Sequence, residues 1–193
     1  MCGDSSLVFP PMIRLFVSLK IPDEVLDRVL EEVHNAAENP LNFKWETKNK
    51  IHLTLKFIGE IEEKLVEPIS SELEFVENYS SFKCSISRFG FFFRNHEPRI
   101  LWSDLQSEVS FSPIVDELNN RMEKFGIESE QRKFKAHLTL LRIKKEVTEK
   151  FLQRIKSYEF EKINFTANKI ALVQSQLSKE GARYKDLKTY ELN

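Results

Sequence analysis

Apolar and polar positions follow one another along this chain in two rhythms. Residues 12–19 place Ile13, Leu15, Phe16, Val17 and Leu19 on both faces of an extended segment, as an interior strand requires. From Asp23 the spacing changes. Val25, Leu26, Val29, Leu30 and Val33 share one face of a helix over 23–37, stopped by Asn39 and Pro40. A short strand is expected at 43–47 and a longer one at 51–58, closed by Gly59. Leu65, Ile69, Leu73 and Val76 then mark a second amphipathic helix. Strands follow at 82–89 and 99–104, and a helix at 111–125 with Pro113 in its first turn and Gly126 as its stop. The rest reads as strand 136–143, helix 147–157, and strands near 160–166, 168–176 and 183–191, the last two joined around 179–181. Strands interleaved with helices exclude a helical bundle or a sandwich and leave α/β or α+β.

One tetrapeptide repeats inside this pattern. His-Leu-Thr-Leu occurs at 52–55 and again at 137–140, although the chain has only four histidines. Each copy is preceded by a strand and a helix, and the distance from strand start to histidine is 39 residues in one case (Ile13 to His52) and 37 in the other (Ile100 to His137). The pattern predicts two related lobes, each with one strand carrying His-x-Thr. Because side chains alternate along a strand, His52 and Thr54 share a face while Leu53 and Leu55 anchor the other; His137 and Thr139 stand likewise against Leu138 and Leu140.

Composition narrows the setting. The 193 residues carry 29 Lys and Arg against 30 Asp and Glu, a net charge of −1, with 41% hydrophobic and 31% charged residues. That balance excludes disorder and a broadly basic nucleic-acid surface, so any such contact must be local. A near-zero net charge also leads one to expect a shallow salt dependence for such a contact. No apolar run approaches the roughly 20 residues of a membrane-spanning helix. Cys2 and Cys84 form neither a disulfide framework nor a CxxC pair, and the first residues lack a signal-peptide pattern, so a cytoplasmic protein is expected. Residues 1–11 read as a disordered N-terminal tail ended by Pro10 and Pro11, and 12–193 as a single domain.

Two lobes related by a pseudo-twofold axis would bring two imidazoles and two hydroxyls to one cleft. Imidazoles with ordinary pKa values near 6.5 can hold opposite protonation states around neutrality, serving as general acid and general base for in-line attack at phosphorus. Thr54 and Thr139 could donate to the non-bridging oxygens, and Arg142 could add positive charge. In a regular strand Arg142 faces away from His137 and Thr139, so it reaches the site only if the strand ends or bulges near Leu141. No Asp, Glu or Cys stands beside either motif at metal-ligand spacing, so no metal or other cofactor is expected. His34 and His96 read as surface residues, and the aromatic run at 89–93 as core and strand-edge packing.

These residues resemble the 2H phosphoesterase superfamily, and within it the RNA 2′,3′-cyclic phosphodiesterases, also called 2′–5′ RNA ligases. The likeness extends from Met12 onward. It rests on the paired His-x-Thr-x motifs 85 residues apart, on the opening from Ile13 to Glu24, and on Lys44 and Trp45 followed by the segment from Asn49 to Glu60. Further matches run from Pro98 to Trp102, from Phe134 to Arg142, and from Gly181 to Tyr184. Ala136 departs from the proline many relatives have before the second histidine. The resemblance implies an α+β, bilobed fold with antiparallel sheets lining a central cleft, and metal-independent hydrolysis of 2′,3′-cyclic phosphates to 2′-phosphomonoesters. By the same resemblance His52 would protonate the leaving 3′ oxygen and His137 would activate water. Thr54, Thr139 and Arg142 would hold the phosphate, with Phe16, Phe134 and Tyr184 as candidate base-stacking residues. RNA 3′ ends or cyclic nucleotides are the implied substrates of a monomeric, non-membrane enzyme. Ligation in the reverse direction and a nucleotide-binding module with little turnover are the alternatives.

Overall fold

The computed structural model describes residues 10–38, 40–179 and 181–193, so most of the expected tail lies outside the described residues. In chain order the elements are β1 (Met12–Leu19), α1 (Asp23–Ala37), β2 (Leu53–Glu62), α2 (Val66–Glu72), β3 (Phe82–Ile86), β4 (Phe89–Arg94), β5 (Glu97–Asp104) and β6 (Gln106–Ser107). After these come α3 (Ser112–Glu123), β7 (His137–Arg142), α4 (Glu149–Ser157), β8 (Ile163–Ala167), β9 (Lys169–Ser178) and β10 (Gly181–Glu191). The strands form antiparallel sheets in the orders β10-β9-β1-β2, β4-β5-β7 and β6-β3-β8. The fold is α+β and bilobed: β1 pairs with β2 in the first lobe as β5 pairs with β7 in the second, and these two sheets line the cleft.

β1 is interior, between β2 and β9, which explains its apolar residues on both faces: Val17 and Leu19 enter the core, while Phe16 and Ser18 are buried on the cleft face. Leu53 and Leu138 are buried to 1% and 0% exposure, each worth roughly 2 kcal/mol of burial. They fix the opposite faces of their strands toward the cleft. α1 begins with Asp23 and Glu24 in its first turn, where negative charge suits the helix dipole, and it packs on α4 and β8.

Several elements depart from the periodicity. The expected strand at 43–47 reduces to one bridge, Trp45 to Leu141, because its neighbours continue into short 3₁₀ turns (Pro40–Asn42 and Lys48–Lys50). The second amphipathic helix is a short α2 flanked by 3₁₀ turns (Glu63–Leu65 and Leu73–Asn78). Gly59 does not close β2. With φ at +86° it sits inside the strand beside a register shift, a conformation glycine adopts without strain.

The expected strand 82–89 is two strands in different sheets. Asp104 accepts hydrogen bonds from the N–H groups of Ser87 (2.8 Å) and Arg88 (3.0 Å), holding the corner where the chain crosses from one sheet to the other. The run at 89–93 belongs to β4, where Gly90 lies directly beneath the Trp102 indole. Among the described residues no helix is long and apolar enough to cross a membrane.

Candidate active site

His52 lies immediately before β2 and His137 opens β7. Both copies of the tetrapeptide bend in the same place. Val17 pairs with Lys56 and Ser18 with Thr54, leaving Leu55 without a partner; Leu101 pairs with Leu141 and Trp102 with Thr139, leaving Leu140 without one. These bulges exchange the faces of the strand. Beyond them Lys56 and Leu141 turn inward, to 1% and 2% exposure, while Phe57 and Arg142 turn into the cleft. The bulge at Leu140 is what carries Arg142 to the side of His137 and Thr139, one residue from the expected position.

His52, Thr54, His137, Thr139, Arg142, Phe16, Phe134 and Tyr184 all line one cavity of about 950 Å³. Each histidine ring is oriented by the carbonyl two residues before it. His137 Nδ1 lies 2.7 Å from the Lys135 oxygen, and His52 bonds the Lys50 carbonyl. An Nδ1–H held by a carbonyl leaves Nε2 as the acceptor in the neutral ring.

Burial lowers the pKa of both imidazoles. His52 is pushed down to about 4, first by burial and then by the Lys20 ammonium, with Arg142 adding to the effect and Asp186 and the Lys50 carbonyl opposing it. His137 is lowered by burial, an effect the Lys135 carbonyl opposes and the charges of Arg142 and Lys135 reinforce. Arg142 therefore acts on both rings from one position between the lobes.

The aromatic residues have different parts. Phe16, 4% exposed, stacks on His52 with ring centroids 4.7 Å apart, and Tyr184 meets both rings edge-on at 5.1 and 5.2 Å. So little of Phe16 is open that it supports the His52 ring; it presents no free face to a base. Phe134, half-buried in the loop after α3, packs near Phe111 at the cleft wall. Lys56 Nζ donates to the Glu128 carbonyl at 2.6 Å, fastening that loop to β2.

Other cleft residues were not singled out from the sequence. Phe92, part of the run read as packing, meets His137 edge-on at 4.8 Å. Phe57 is 58% exposed on the cleft wall. Glu46 Oε1 lies 3.3 Å from Arg142 Nε. Lys50 and Lys135 were legible in principle, since both precede a motif histidine by two residues. Of the remaining histidines, His96 is exposed in the β4–β5 turn, whereas His34 is half-buried and edge-on to Trp45 at 5.0 Å, because the 43–47 segment folds back over α1. Cys84 is buried in β3 with its thiol pKa raised to about 11 by burial, which makes it inert.

A model of the LigT-like phosphoesterases matches residues 19–102 and 105–184. The chain belongs to this family. Among its relatives, the RNA 2′,3′-cyclic phosphodiesterase of Thermotoga maritima is 27% identical, covering 90% of this chain and 92% of that protein. The protein of the same name from Archaeoglobus fulgidus is 28% identical, covering 92% and 99%. Solved structures share the fold: a Thermus thermophilus protein superposes with a TM-score of 0.76 at 22% identity, covering 93% of this chain and 98% of that one. Apo LigT of Escherichia coli does so with a TM-score of 0.75 at 22% identity, covering 95% and 99%. This LigT-like chain thus stands in a family of enzymes, among relatives that are hydrolases of cyclic phosphodiesters.

Proposed function

We propose that the chain hydrolyses RNA or nucleotide 2′,3′-cyclic phosphates to 2′-phosphomonoesters without a metal ion. The observation that carries this reading is the convergence of both His-x-Thr pairs and Arg142 on one cavity. In the reaction His137 Nε2 takes a proton from water as its oxygen attacks phosphorus, and the bond from phosphorus to the 3′ oxygen breaks. His52, protonated, gives a proton to that oxygen. Thr54 and Thr139 donate to the non-bridging oxygens, and Arg142 offsets the charge that develops on them.

His52 must be protonated to act as the acid, yet burial and the Lys20 ammonium push its pKa down to about 4. A phosphate anion bound beside it favours imidazolium and raises that pKa, so the acid is charged by the substrate it serves. The names of the curated relatives support the substrate class, and a solved LigT from Escherichia coli is complexed with 3′-AMP. The test is to incubate the protein with an oligonucleotide ending in a 2′,3′-cyclic phosphate in the presence of EDTA. A 2′-phosphate product is expected. A 3′-phosphate product, or no turnover until a metal is added, would overturn the reading.

A further inference from the structure

Glu46 is tied twice to the bulge that delivers Arg142. Its N–H donates to the Leu140 carbonyl at 2.9 Å, while neighbouring Trp45 bridges to Leu141. Its carboxylate meets Arg142 Nε at 3.3 Å. The carboxylate is also much the more enclosed partner, at 19% exposure against 58% for the arginine. On the opposite wall burial raises the pKa of the Tyr184 hydroxyl, where the charge of Arg142 opposes the rise and that of Glu46 adds to it. A carboxylate in a phosphate site is otherwise a liability, because it repels the anion that Arg142 attracts.

The charges of substrate and product give it a use. A cyclic phosphodiester carries one negative charge. The phosphomonoester made from it carries about −1.5 to −2 at pH 7. A cleft with Arg142 unopposed would therefore hold its product more tightly than its substrate. Glu46 offsets that bias, since its repulsion grows with the charge of the ligand.

We propose that Glu46 is a specificity-determining residue of the phosphate site: paired with Arg142 Nε, it shifts the preference of the cleft away from a doubly charged phosphomonoester and toward a singly charged phosphodiester. The proposal rests on the hydrolase reading above and adds product release to it. Glu46 works through Arg142 and through its field, and it takes no proton in the reaction.

The test compares two ligands that differ by one charge, 2′-AMP and its phosphate methyl ester. Binding of each is measured by calorimetry at about pH 8, above the second phosphate pKa of about 6. Glu46→Gln should tighten 2′-AMP on the order of tenfold more than the methyl ester. Glu46→Asp, which keeps the charge, should leave the preference near that of the wild type, and this also separates charge from disturbed packing. Turnover of the cyclic-ended oligonucleotide by the wild type is followed in parallel. An active wild type with the same preference in Glu46→Gln overturns the role of Glu46 alone. A wild type that binds neither ligand and turns over no cyclic phosphate overturns both readings.

Discussion

Two imidazoles whose pKa values are lowered by burial make a definite demand on the pH profile. Burial strips water from both rings; Lys20 and Arg142 disfavour a further positive charge on His52, and Arg142 and Lys135 do so on His137, so His52 falls to about 4 and His137 below its ordinary 6.5. A rate that needs one ring protonated and one neutral peaks between the two pKa values, and kcat/KM reports those of the free enzyme. Its maximum should therefore lie on the acid side of 6.5. The kcat profile should sit at higher pH, because the bound phosphate favours imidazolium. Rates measured across buffers check this, and a kcat/KM maximum above about pH 7 would contradict it. At this scale the histidines and threonines were legible because the chain states them twice. Glu46 and Phe92 were not: one meets Arg142 across the gap between distant segments, and the other sits in an aromatic run whose periodicity suits packing equally well.

The elements that matter most are two matching irregularities. Leu55 and Leu140, the last residues of the two tetrapeptides, are both skipped in the register of the neighbouring strand, and each bulge exchanges the faces of its strand just past the threonine. Alternation alone would send Arg142 to the core, which is why the sequence pattern demanded a break near Leu141 without locating it. The division of 82–89 into β3 and β4 was less accessible still, since it depends on Asp104 reaching back to Ser87 and Arg88. Gly90 makes the second sheet testable. A Cβ there would lie 2.5 Å from Cη2 of Trp102, whose ring packs near Phe92 and so supports the wall against His137. Gly90→Ala should cost about 1–3 kcal/mol through overpacking, lowering Tm by roughly 2–4 °C for each kcal/mol. Thermal unfolding reads this directly, and an unchanged midpoint would mean the indole moves aside freely.

For the molecule as a whole, the net charge of −1 conceals a division of charge. The cleft gathers Arg14, Lys50, Arg132, Lys133, Lys135 and Arg142 against Glu46 and Glu130. The shallow salt dependence expected from net charge therefore gives way to a steeper one. For single strands the log of affinity falls by about 0.7 per log unit of salt for each phosphate engaged. An oligonucleotide end should accordingly show a slope steeper than about −1.4, and a cyclic mononucleotide one near −0.7. Equal slopes for the two would confine the grip to a single phosphate. Composition could not have revealed this, because only folding brings the basic residues at 132–135 opposite those near positions 14 and 50. The account as a whole turns on two histidines from two lobes acting on one phosphate. Its most direct test is turnover of a 2′,3′-cyclic-ended oligonucleotide in EDTA by the wild type, His52→Ala and His137→Ala. Each substitution should lower kcat by about 10²–10⁴-fold, and undiminished turnover in either variant would contradict the paired mechanism.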